Sequence, residues 1–136
     1  PGFECRHNVK NWKCQDYIGF GPAAHSLFEG TRFSYKKEIR SFIADPLQRG
    51  NLIDVFEEQT EEDIAKQFVM LGFRLRLGID VEEYAERFKD DFEARYLEKM
   101  TPFIEKQYIL PTKTGYRLSR QGLLISNYIL SELIDF

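Results

Sequence analysis

Between Thr60 and Ile134 the spacing of the apolar residues switches from helical to strand-like and back, and the order of these switches restricts the folds open to the chain. Ile64, Phe68, Leu71 and Leu75 recur at helical spacing and predict one apolar helix face through about Leu77. Thr60-Glu61-Glu62-Asp63 before them resembles a capping box, with Asp in place of the usual Glu. Gly78 stands where a left-handed cap residue belongs. Asp80, with Glu83 three residues on, opens a second helix anchored by Tyr84 and Phe88. Asp90 or Asp91 caps a third, carrying Phe92, Tyr96, Leu97 and Met100. Thr101-Pro102 predicts a break and restart, with a short helical turn to about Lys106. Tyr108-Ile109-Leu110 and Tyr116-Arg117-Leu118 then flank a polar, Gly-containing tip, which predicts a hairpin. Ser119 caps a last helix whose apolar residues, from Leu123 to Ile134, nearly encircle it and predict burial. Three helices, a hairpin and a helix make a winged-helix-like arrangement over residues 52–136.

Residues 1–50 have a different texture. Residues 1–16 are polar, and Tyr17 to Pro22 reads as a short strand entering a Gly-Pro turn. Phe28 to Tyr35, with Gly30 between aromatics, suits a hairpin. Ile39, Phe42 and Ile43 mark a short amphipathic helix that stops before Pro46, and Asp45 to Asn51 reads as a linker. The predicted class is α+β, mainly helical.

At 136 residues the chain holds one domain, or a small domain with a piece of another. It opens Pro1-Gly2-Phe3, with neither an initiator Met nor a signal peptide, and reads as a cut piece of a cytoplasmic protein. No apolar run reaches the roughly 18 residues of a membrane-spanning helix. A net charge of −3 argues against nucleic acid held by bulk charge. The third helix of a DNA-binding winged helix should be basic, yet Asp91, Glu93, Glu98 and Glu105 stand against Arg95, Lys99 and Lys106. The wing tip adds only Lys113 and Arg117. Cys5 and Cys14 read as free thiols rather than a disulfide, and with His7 and His25 they match no short-loop zinc spacing.

Two segments carry candidate chemistry. Gly19-Phe20-Gly21-Pro22-Ala23-Ala24 formally matches a G-x-G-x-x-A turn. Its plain reading is a tight turn after a strand; its functional reading is close backbone approach to a ligand, with His25-Ser26 following at a strand end. In His7-Asn8-Val9-Lys10-Asn11-Trp12, an imidazole and an indole lie close enough to hold a planar ligand such as haem. The plain reading is a solvated loop whose Trp plugs a core edge. Paired carboxylates at Glu57-Glu58, Glu61-Glu62-Asp63 and Asp90-Asp91 sit at helix starts, where they complement the dipole. No G-x-S-x-G motif supports nucleophilic catalysis.

Several ordered motifs share a family likeness. They are Arg6-His7-Asn8-x-x-x-Trp12, Asp16-Tyr17-Ile18-Gly19-Phe20-Gly21-Pro22-Ala23-Ala24-His25-Ser26, Met70-Leu71-Gly72-Phe73-Arg74-Leu75, Gly78-Ile79-Asp80 and Arg117-Leu118-Ser119-x-x-Gly122-Leu123-Leu124-x-Ser126-Asn127. Together they resemble the carboxy-terminal region of oxygen-independent coproporphyrinogen III oxidase-like radical S-adenosylmethionine (SAM) proteins, in the haem-chaperone branch. The resemblance covers nearly the whole chain.

This resemblance implies a longer protein with an amino-terminal radical SAM barrel and a [4Fe–4S] cluster on a C-x-x-x-C-x-x-C loop. This chain has no such loop, so the fragment alone is expected to be inactive. Residues 1–50 would be the barrel's carboxy-terminal remnant, with its last strand and helix. Residues 52–136 would be the winged-helix-like domain that covers the barrel. Gly21, Pro22, Ala24 and His25 would lie on the SAM side. His7, Asn8 and Trp12 match a haem-associated His-Asn-x-x-Tyr-Trp motif, with Asn11 where Tyr is expected. The implied work is haem binding and transfer. The alternatives are anaerobic oxidative decarboxylation of coproporphyrinogen III and, in another class, an autonomous winged-helix nucleic-acid-binding module. Implied partners are the barrel in cis and haem or a porphyrinogen, with no nucleic acid. An apolar face along residues 17–44, bared where the barrel should pack, could also support self-association.

Overall fold

The computed structural model describes residues 5–45 and 53–134. They form a mixed helix and sheet structure that divides into two compact units, residues 1–64 and 65–136.

The first unit opens with α1 (Arg6–Trp12), in a segment expected to be loop. β1 (His25–Phe28) and β2 (Thr31–Tyr35) form the expected hairpin. Glu29 and Gly30 between them both have positive φ, which a two-residue hairpin turn requires. α2 (Ile39–Ala44) falls where the amphipathic pattern places it. The linker expected over 45–51 lies almost wholly outside the described residues.

Two strand expectations fail here. From Tyr17 to Pro22 only Tyr17 pairs, through a bridge to Leu27, because the chain turns before a ladder can extend. Conversely, β3 (Ile53–Glu58) is a strand in a region expected to be mainly helical; it pairs antiparallel with β2 and completes a sheet of order β1-β2-β3. All six of its residues are exposed. Without a buried face, nothing imposes the alternation that marks a strand in sequence.

The second unit is organised by α3 (Glu61–Gly72), which begins within the first unit and carries most of its buried face into the second. Its amino end carries the predicted box: Asp63 Oδ2 accepts from the Thr60 amide and hydroxyl, and Thr60 Oγ1 accepts from the Asp63 amide. The buried face is Ala65, Phe68, Val69 and Gly72, rotated from the expected stripe, and the helix ends well before Leu77. β4 (Ile79–Asp80) leads into α4 (Val81–Phe88), where Asp80 accepts from the Glu82 and Glu83 amides. Asp91 caps α5 (Phe92–Glu105) in the same way.

α5 runs unbroken through Thr101-Pro102, where a break was expected. Met100 and Phe103 are buried on either side of Pro102, and that packing offsets the missing N–H. Thr101 spends its hydroxyl on the Leu97 carbonyl, 2.8 Å away, rather than on a new cap. β5 (Ile109–Pro111) and β6 (Gly115–Leu118) form the predicted hairpin, and β6 also pairs with β4 in a sheet of order β4-β6-β5.

Ser119 caps α6 (Arg120–Leu124) through the Gly122 amide. The expected single last helix is instead interrupted at Ile125, and α7 (Ser126–Leu133) follows. Leu124 is 84% exposed and Tyr128 59%, so only the side bearing Ile129, Leu130 and Leu133 is buried. The core of this unit is aromatic: Tyr84 touches Phe68, Phe88, Phe92 and Tyr96, with ring centroids 5.0–6.3 Å apart.

Candidate functional site

The two segments singled out in the sequence lie on different elements of the first unit. His7, Asn8 and Trp12 are on α1, all exposed, and no residue of that helix is buried. Asn8 and Trp12 share a face at i, i+4, as do His7 and Asn11. Asn11 Oδ1 is buried without a hydrogen-bond partner. Asn11 follows His7 by four residues, one helical turn, on α1.

Gly21, Pro22, Ala24 and His25 form the turn that enters β1. Its backbone is firmly held. The Ala23 amide donates to the Lys36 carbonyl at 3.2 Å, the Ala24 amide to the Gly21 carbonyl at 3.2 Å, and the Tyr35 amide to the Ala24 carbonyl at 3.0 Å. Ser26, fully buried, accepts from the Gly19 amide at 3.1 Å. Gly21 has φ +103°, and a Cβ there would meet nothing within 4 Å. Glycine is thus needed for the turn's conformation, and the backbone is open to a ligand approaching from outside. Phe20 beside it is 86% exposed.

The donor sets bear unequally on the implied groups. An iron–sulfur cluster needs clustered thiolates; this chain has two cysteines, one exposed and one buried, and no cluster fits on them. An approachable turn of small residues fits contact with a nucleoside. An exposed imidazole fits an axial ligand, although α1 offers one face and no enclosing pocket. Among the described residues no group of His, Cys, Asp and Glu is arranged to hold a metal ion. None of the helices described is long and apolar enough to cross a membrane.

The strongest electrostatic perturbation lies in the second unit and was not read from the sequence. The Tyr84 hydroxyl donates to Asp90 Oδ2 at 3.2 Å, and Arg95 pairs with the same oxygen at 3.1 Å. Burial raises the Tyr84 phenol well above its ordinary range, and the Asp90 charge adds to this. The Arg95 hydrogen bond holds Asp90 below the usual carboxylate range. These groups tie the α4–α5 corner together, with the Tyr84 ring in the core and the Asp90–Arg95 pair partly exposed to solvent.

Comparison with known proteins adds the decisive observation: residues 59–125 match the family model described as the HemN C-terminal domain. Residues 59–125 are thus similar to a HemN C-terminal domain. That stretch includes α3, α4, α5, α6 and the β4-β6-β5 sheet, and ends before α7. The chain is also 27% identical over 134 residues to the "Heme chaperone HemW" of Bacillus subtilis (strain 168), covering 98% of this chain and 35% of that protein. Against the protein of the same name from Lactococcus lactis subsp. lactis (strain IL1403), identity is 24% over 135 residues, with 98% and 35% covered. The chain thus spans about a third of the length of these relatives. Among solved structures, the Escherichia coli coproporphyrinogen III oxidase (HemN), described as a radical SAM enzyme, superposes with a TM-score of 0.62. Its identity is 18%, over 88% of this chain and 28% of that one, which is a likeness of fold. The HemN C-terminal domain match covers the motifs from Met70 to Asp80 and the last motif from Arg117 as far as residue 125, and the HemW relatives extend the likeness across α1 and the Gly21–His25 turn.

Proposed function

We propose that this chain is the C-terminal portion of a radical SAM protein of haem metabolism whose work is haem binding and transfer. The observation that carries this is the match to HemW haem chaperones across 98% of the chain, together with the HemN C-terminal domain at 59–125. Residues 1–50 are read as the end of the barrel domain, with its last strand and helix, and 52–136 as a winged-helix-like domain covering it. The order α3, β4, α4, α5, β5, β6 supports the winged-helix reading. The exposure of Ile18, Phe20, Ile39 and Ile43 supports an apolar surface meant for the barrel, which would also favour self-association when the barrel is absent. The intact protein is read as cytoplasmic.

In this reading Gly21, Pro22, Ala24 and His25 lie beside SAM, whose open turn offers backbone groups to the nucleoside. The [4Fe–4S] cluster belongs to the barrel, because the two thiols here do not suit it. His7 is the axial-ligand candidate, with Asn8 and Trp12 on the neighbouring face of α1. Bound haem would supply an iron with an open coordination position for imidazole. The test is haem titration of the intact protein: His7→Ala should abolish or shift the Soret band, and an unchanged spectrum would remove His7 from the site.

A second reading, anaerobic oxidative decarboxylation of coproporphyrinogen III, draws on the likeness to the HemN structure. Intact protein with a reconstituted cluster should leave coproporphyrinogen III unchanged. Its decarboxylation would replace the chaperone reading with the oxidase one.

A further inference from the structure

The first unit has almost no core of its own. Among its described residues the only buried apolar side chains are Cys14 and Leu27, beside the buried Ser26 and Ser34. α1, α2 and β3 have no buried residue. A three-stranded sheet holds together in water only when one of its faces packs against something apolar. The second unit, by contrast, carries the aromatic core built around Tyr84 and Phe92.

One face of the β1-β2-β3 sheet gathers aromatic rings. Phe33 and Phe56 stand directly opposite each other across β2 and β3, so their side chains leave the sheet on the same side. Phe28 pairs with Thr31, two residues before Phe33, and so shares that side. Tyr35, two residues beyond Phe33, sets its ring edge-on to it at 5.9 Å. Phe28 is 42% exposed and Phe56 61%. Glu58, opposite Thr31, adjoins Phe56 on this side, and Asp54 lies two residues before Phe56; both are exposed. The face therefore has an aromatic centre and an acidic margin.

We propose that this aromatic face packs onto the part of the intact protein that precedes residue 1, and that the β1-β2-β3 sheet is stable only against it. This rests on the reading above, in which the chain is the C-terminal portion of a longer protein and spans about a third of its relatives. It adds β3, which lies beyond residue 50, to the surface turned toward the barrel. Charge separates this occupant from the others. A tetrapyrrole with carboxylate side chains and an anionic lipid surface would both bring negative charge to Glu58 and Asp54. A second copy docked through the same patch would set these carboxylates against their own counterparts. A different segment of the protein can offer an apolar centre with basic groups at its margin.

The test is amide hydrogen exchange, read peptide by peptide by mass spectrometry, in the intact protein and in the 136-residue chain. Amides of β1, β2 and β3 should exchange about tenfold faster or more in the chain than in the intact protein, while those of α5 and β6 are protected in both. In the intact protein Phe56→Ser should speed exchange through the sheet about tenfold, and Phe56→Leu should largely restore protection. This second arm reads the intact protein alone and does not depend on the folding of the fragment. Equal protection of the sheet in chain and intact protein, or an intact protein that ignores Phe56→Ser, overturns the proposal. So does sheet protection that the chain gains on adding haemin, or on dimerising in sedimentation, since these name a tetrapyrrole or a second copy as the occupant. An intact protein that binds no haem yet protects the sheet removes the haem reading and keeps this one. One that binds haem with the sheet unprotected does the reverse.

Discussion

The Tyr116 hydroxyl donates to Glu93 Oε1 at 2.6 Å, which fastens the middle of β6 to the first turn of α5. The bond crosses 23 residues of sequence, and the Tyr116 ring also stacks on Phe92 with centroids 6.0 Å apart. The carboxylate accepting this hydrogen bond raises the phenol, as does burial, from its ordinary value near 10.0 to about 12.

This raised phenol makes stability depend on alkaline pH. Below pH 10.0 the phenol is protonated in both folded and unfolded chains, and its contribution is fully present. Between 10.0 and about 12 the unfolded chain loses this proton more readily, so stability falls as pH rises through that window. Denaturant melts at stepped pH should show the loss, and Tyr116→Phe should flatten it. A profile that Tyr116→Phe leaves unchanged would argue against the bond. At neutral pH the same substitution should cost about 1–2 kcal/mol, because it removes a hydrogen bond to a charged group.

Arg95 sets the acidity of Asp90 more than any other group. Arg95→Gln should raise the Asp90 pKa toward the ordinary carboxylate value. With Arg95 present, Asp90 stays ionised to lower pH than an unpaired carboxylate. Its share of the stability is present above the unfolded pKa and fades as pH falls through the depressed one. Carboxyl-carbon NMR titration of both proteins reads this directly, and equal titration midpoints would contradict it.

Gly78 admits no side chain. Its φ is +79°, and a Cβ would collide with the Tyr116 carbonyl and lie 2.6 Å from the Arg117 Cβ. Gly78→Ala should therefore destabilise the second unit by about 3 kcal/mol or more, through left-handed strain and displacement of β6. A urea midpoint within error of the parent would show that the turn can relax.

Pro102 is exposed within α5 and leaves the Glu98 carbonyl without its helical donor. Pro102→Ala should restore that bond and stabilise the unit by about 1–3 kcal/mol. Thermal melts would register this as a higher Tm; a lower one would mean that the ring itself packs.

The features legible in sequence are those closed by nearby residues. The Thr60–Asp63 box and the caps at Asp80, Asp91 and Ser119 each join atoms two or three residues apart, so residue type and spacing suffice to place them. The Glu29-Gly30 turn is equally local. The motifs of the candidate site were also visible as residues, but α1 was not, because Arg6–Trp12 has only Val9 and Trp12 as apolar residues and no fully buried residue, so it shows no apolar stripe.

Sequence by itself determined where these helices begin, where both hairpins turn, and which residues carry the family likeness. Tertiary structure alone decided the rest, through partners distant along the chain. β3 is a strand because β2 offers it a ladder, although its own residues show no buried alternation. α5 survives Pro102 because Met100 and Phe103 are buried around it. The last helix breaks at Ile125 and leaves Leu124 in solvent, although its composition alone argues for burial.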